Sequence, residues 1–128
     1  IGAISAAHPL AGKKISTKGY TEGRHVTVSR TGFDDDALER KFLPDSLSRH
    51  IVSSVGGFAT ALAVARHSDL IATVPELHTA ALREGLFSFP LPVRAAAFSV
   101  SMVWHPRLDA DPIHRWIRAC IRAVCTPE

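Results

Sequence analysis

Hydroxyl side chains at Ser29, Ser53, Ser54 and Thr73, the paired glycines Gly56 and Gly57, and Phe58 beside them all fall where an apolar run gives way to a turn or a helix start. Hydroxyls donate and accept hydrogen bonds, glycines let a ligand approach the backbone, and the free N–H groups of a helix start favour an anion or carboxylate. Phe58 could wall an apolar part of such a ligand. The chemistry implied is non-covalent recognition of a small molecule. Each hydroxyl alone reads more readily as a helix cap than as a ligand contact, so the cluster carries more weight than any member. A serine nucleophile would need a sharp strand-to-helix elbow and a nearby base. Ser53-Ser54-Val55-Gly56-Gly57 lacks the G-x-S-x-G pattern and no partner acid is evident, so hydrolysis is not expected. The histidines His8, His25, His50, His67, His78, His105 and His114 are scattered without the i, i+4 pairing or cysteine-rich spacing that holds zinc, so no metal is expected. No phosphate-binding loop and no G-x-G-x-x-G occurs; no cofactor is expected and the chain is not read as an enzyme.

Alternating short strands and helices must position these residues. Ile1 to Ala7 reads as a strand, followed by a turn-rich basic connector, and Ser16 or Thr17 caps one short helical turn before Gly23. His25 to Ser29 reads as a strand, and Asp34-Asp35-Asp36 as the acidic start of a helix running to Leu43, stopped by Pro44. The unit repeats as strand His50 to Ser54, turn Val55-Gly56-Gly57 and helix Phe58 to Arg66. A third repeat has the apolar strand Asp69 to Val74, Pro75 at a first helical position, and a helix over Glu76 to Leu82. Leu86 to Phe89 is a short strand, and Ala97 to Trp104 alternates like a longer one. The last helix is capped by Asp111 with Pro112 next. It repeats Ile113, Trp116, Ile117, Cys120, Ile121 and Val124 along one face, opposite a basic face of His114, Arg115, Arg118 and Arg122 that reads as solvated.

This pattern predicts an α/β fold with a mostly parallel sheet flanked by helices. The turns after the three central strands should then open at one carboxyl edge. At 128 residues a single domain is expected, and no linker or change of composition divides the chain. Hydrophobic residues make up 46% and charged residues 21%, which excludes a disordered or rod-like chain. The net charge of +3 falls short of the basic stripe that grips a phosphate backbone. No apolar run approaches a membrane span; the longest, Phe58 to Ala65, ends at Arg66. The start, without Met or a basic leader, reads as a strand entered in mid-protein. Cys120 and Cys125 point about 140° apart on one helix, so a reduced cytoplasmic chain is the simplest reading.

The segment from Trp104-His105-Pro106-Arg107 through Asp111-Pro112-Ile113-His114-Arg115-Trp116-Ile117-Arg118 resembles the C-terminal end of the effector-binding domain of LysR-type transcriptional regulators. His8-Pro9-Leu10-Ala11, Ser53 to Phe58, and Ser68-Asp69-Leu70-Ile71-Ala72-Thr73-Val74-Pro75 agree in order, with Ser68 where the family usually has threonine. The resemblance implies a periplasmic-binding-protein-like lobe, the second of two, with Phe98 to Trp104 as the returning strand and a terminal helix. The DNA-binding part and most of lobe one are missing from these residues. It implies a small-molecule effector between lobes, contacted here by Ser29, Ser53, Gly57, Phe58 and Thr73. It implies a homo-oligomer, with DNA bound only through the missing N-terminal domain. A transport-type solute-binding lobe shares the architecture and is the alternative. The stripe Ile113, Trp116, Ile117, Cys120, Ile121 and Val124 would gain several kcal/mol on burial and is expected to pack on lobe two or on a second copy of the chain.

Overall fold

The computed structural model describes residues 1–29, 43, 44, 47–97 and 99–125. The helix read over Asp34 to Leu43 lies outside them apart from Leu43, which is buried. The chain forms two compact units, Ile1–Phe98 and Ser99–Glu128.

In the first unit the elements run β1 (Gly2–Ser5), α1 (Thr17–Thr21), β2 (Arg24–Val28), β3 (His50–Val55), α2 (Phe58–Arg66), β4 (Leu70–Thr73), a 3-10 turn (Ala81–Arg83) and β5 (Leu86–Phe89). The five strands form one sheet in the order β3-β2-β4-β1-β5. β2 pairs in parallel with β3 on one side and β4 on the other. β1 runs antiparallel to both β4 and β5. The α/β class therefore stands, but the sheet is mixed rather than mostly parallel, because β1 is inserted against the direction of its two neighbours.

The central strands are buried on both faces; β4 is apolar as such burial usually requires, whereas β2 carries His25 and Thr27 on the face away from α2. On one face Val26, Val28, Ala72 and Ala3 pack against Ala61, Leu62 and Ala65 of α2, whose alanines let the helix lie close to the sheet. On the other, Ile4, Ile71 and Phe89 pack with Ile15 and Tyr20. Ser16 caps α1 by accepting from the Gly19 amide at 3.1 Å, and this short helix delivers Tyr20, fully buried, to the sheet. Gly2 cannot be replaced in place, since a Cβ there would collide with the Phe89 ring.

Two expected elements are not formed. Glu76 to Leu82 makes irregular turns ending in the 3-10 turn, because its bonds alternate between i+4 (Thr79 to Pro75) and i+3 (Leu82 to Thr79). Arg83 holds this segment by donating to Thr79, Ser88 and the Glu76 carbonyl, and Arg66 ties it to α2 through the Glu84 and Leu82 carbonyls. The strand expected over Ala97 to Trp104 is not formed at its described residues either, since a strand exists only through a paired neighbour and the described residues of the second unit hold a 3-10 turn (Pro106–Leu108) and α3 (Pro112–Cys125).

In that second unit Asp111 caps α3 as expected, its carboxylate accepting from the His114 amide at 2.9 Å. The basic face is not wholly solvated. Arg118 is buried: its guanidinium lies 4.5 Å from the Trp104 ring centroid and donates to the Leu108 and Asp109 carbonyls. Trp104 in turn donates its indole N–H to Asp109 at 3.0 Å. A planar cation that stacks on an aromatic face and finds carbonyl acceptors can be buried, which charge patterning alone does not reveal.

His25 sits in the middle of this architecture with no exposed surface. Its Nε2–H donates to the Tyr20 carbonyl at 2.6 Å and its ring meets Tyr20 edge-on, the centroids 4.7 Å apart. Burial pushes its pKa down to about 4 from the usual 6.5. Between those values the unfolded chain binds the proton and the folded chain does not, so stability rises with pH through the window and is lost as pH falls. The expected effect approaches about 3 kcal/mol. Thermal melts from pH 7 to pH 4 should show Tm falling below pH 6.5, with His25→Leu flattening the slope; equal slopes in the two proteins would contradict the assignment.

Candidate functional site

β3, β2 and β4 run in one direction, so their carboxyl ends share one rim of the sheet. The antiparallel β1 brings its own start to the same rim, where the Val74 amide donates to the Ile1 carbonyl at 2.9 Å. Ser29 follows β2 there, its amide donating to the Val55 carbonyl at 2.9 Å and so tying the ends of β2 and β3 together. Ser29 is nearly buried. Thr73 closes β4 and is paired with Gly2 across the β1 ladder. The structure therefore brings the three turns to a common edge.

Gly57 stands between β3 and α2 in extended backbone, as an N-cap without a side-chain hydrogen bond. The first amides of this nine-residue helix thus have no side-chain partner from the cap. A Cβ on Gly56 or Gly57 would meet nothing within 4 Å, so the backbone here is open to approach. Phe58 begins α2 and meets His78 edge-on at 6.3 Å between ring centroids. Ser53 is set further back. It pairs with Val26 inside the strand, two residues before the end of β3, and a register shift between His25 and Val26 places it there.

The residue missed from sequence is Tyr20, the chain's one tyrosine. Its hydroxyl lies 2.6 Å from the Thr73 hydroxyl. Phenol is the more acidic partner, and a phenol that donates leaves the Thr73 proton free to point elsewhere. The available signal was weak: a buried tyrosine usually finds a partner for its hydroxyl, but nothing in the spacing says which.

Two concave surfaces lie away from this rim. One of about 450 Å³ is lined by Ala6, Gly12, Gly85 and Phe87, and another of about 590 Å³ by Lys13 to Thr17 with Phe87 to Pro92. Neither includes Ser29, Gly57, Phe58 or Thr73. No cluster of metal-ligating side chains occurs among the described residues, and no helix among them is long and apolar enough to cross a membrane. In the second unit the stripe on α3 is exposed, Ile113 and Trp116 each at 68%, with Ile117, Cys120, Ile121 and Val124 exposed along the same helix.

A family model described as the LysR substrate binding domain matches residues 2–126. The HTH-type transcriptional regulator LinR of Sphingobium indicum is 35% identical over 125 residues, covering 91% of this chain and 40% of its own length. The HTH-type transcriptional activator NagR of a Ralstonia species is 29% identical over 117 residues, covering 87% of this chain and 38% of its own. The crystal structure of the regulatory domain of MexT, a transcriptional activator in Pseudomonas aeruginosa, matches 96% of this chain and 62% of that one, with a TM-score of 0.70 and 28% identity. The chain spans about two fifths of the length of the first two relatives.

Removing only the phenol hydroxyl tests the rim's internal geometry. Tyr20→Phe should lower stability by about 1 kcal/mol, the net worth of one hydrogen bond. Denaturant unfolding that gave equal stabilities would show that the Tyr20–Thr73 pair is not formed in solution.

Proposed function

Because the chain belongs to the LysR substrate-binding-domain family, we propose that it is the small-molecule-sensing and oligomerising part of a bacterial LysR-type transcriptional regulator acting in the cytoplasm. The observation that carries this reading is the shared rim: three parallel strand ends present Ser29, Thr73 and the open Gly57–Phe58 start of α2 along one edge. Hydroxyl and amide donors beside an aromatic ring suit a small polar molecule with an apolar part. Ser29, Gly57, Phe58 and Thr73 are the proposed contacts, with Ser53 behind them. The opposite wall would come from residues outside this chain.

In this reading the effector acts by binding one arrangement of the regulator better than another, which shifts the population of its assemblies on DNA. DNA contact belongs to an N-terminal domain that these residues do not include. The exposed stripe of α3 serves as the surface that packs on the rest of the regulator or on a second copy, since an apolar face of this kind gains from leaving water. No catalytic role is assigned to any residue. A solute-binding lobe for transport would share the architecture, but the relatives named above are transcriptional regulators, which favours the sensor.

The test uses the full-length regulator and a transcriptional reporter. The double variant Ser53→Ala/Thr73→Ala, and separately Gly57→Val, should lose the response to inducer while operator binding by gel shift is unchanged. Gly57→Val is expected to fold, because its backbone is extended and its Cβ has open space. Full induction in both variants would remove these residues from the site.

A further inference from the structure

The second face of β2 is polar where the sheet is most deeply buried. His25 and Thr27 have no exposed surface, and Thr27 pairs with Ser54 on the neighbouring parallel strand. Same-face residues of one strand lie about 6.6 Å apart and paired residues of adjacent strands about 4.8 Å, so the three side chains share one small patch. Three of their polar atoms, His25 Nδ1, Thr27 Oγ1 and Ser54 Oγ, are buried without a hydrogen-bond partner among the described residues. One orphaned atom is a local defect. Three on neighbouring positions of two paired strands form a set, and buried polar groups are almost always satisfied.

The chemistry of the set restricts what satisfies it. The Tyr20 carbonyl can only accept, so His25 carries its proton on Nε2 and Nδ1 is an acceptor that needs a donor. The two hydroxyls can each donate or accept. An imidazole and two neutral hydroxyls supply no carboxylate or thiolate, so they offer no charge to balance a metal cation. An anion would face the Nδ1 lone pair. What remains is a small neutral molecule that donates at least one hydrogen bond and makes two or three in all, which is the usual coordination of an internal water.

We propose that His25, Thr27 and Ser54 form an internal hydration site on the sheet face, holding one ordered water that donates to His25 Nδ1 and bridges to the two hydroxyls. The site is separate from the proposed effector contacts, although Ser29 directly follows the strand that carries His25 and Thr27. It gives β2 a reason to carry polar residues at positions where an apolar side chain would pack.

Two measurements on this chain test the proposal. A high-resolution crystal structure should show an ordered solvent peak within hydrogen-bond distance of His25 Nδ1 and at least one of the two hydroxyl oxygens. Thr27→Val keeps the shape of the side chain and removes only its polar atom. If water bridges the site, this variant should melt about 4 °C lower. If the site is dry, the substitution removes an unsatisfied hydroxyl and should melt at or above the wild type. Ser54→Ala reads the same sign should Thr27→Val fail to fold, and the solvent peak in the wild type depends on neither. Absence of that peak, together with unchanged or raised melting in the variants, would overturn the proposal.

Discussion

Parallel pairing of β2 with both β3 and β4 is the constraint on which the rest of this molecule depends. A parallel ladder cannot be closed by a tight hairpin, so each strand must be followed by a crossover before the next begins. The chain therefore leaves the sheet repeatedly at one rim, and whatever residues occupy those exits are gathered there. Ser29, Gly57 and Thr73 are far apart in sequence and lie along one edge for this reason. The antiparallel β1 strengthens the arrangement by holding β4 to β5 and by bringing its own first residue to the same edge.

The same constraint shapes the core. A strand flanked by two others and covered on both faces must hide its side chains, and β2 does so from His25 to Val28, with valines toward α2 and polar residues on the other side. Tyr20 belongs to this second layer. It touches His25 and Phe89 edge-on and reaches Thr73 with its hydroxyl, so the short α1 is connected to the rim through one buried side chain. In the second unit a different device operates: Arg118 and Trp104 fix the turn into α3 by stacking and by bonds to two carbonyls. That contact orders the start of the helix while its apolar stripe stays exposed.

Much of this was legible in the residues themselves. Periodicity gave α2 its bounds, and Asp111 before Pro112 gave the start of α3, because caps and apolar spacing are local signals. The common rim followed from the alternation of strands and helices. The direction of β1 did not, because a short apolar strand reads the same whichever way it runs. Glu76 to Leu82 has good helix formers, yet the bonds of Arg83 and Arg66 to its backbone settle it as turns. Arg118 reads as a solvated charge because its acceptors Asp109 and Leu108 lie nine and ten residues away in sequence, and its aromatic partner Trp104 farther still. From its neighbours Ser53 reads as a rim residue, whereas the irregular register beside Val26 sets it back within the strand.

The proposed effector site lies at the carboxyl ends of β2, β3 and β4. A crystal structure of the full-length regulator with its inducer bound addresses this most directly. Ligand density is expected within contact distance of Thr73 and the Gly57–Phe58 backbone. Density seated instead at the opposite ends of those strands, or on the apolar stripe of α3, would contradict it.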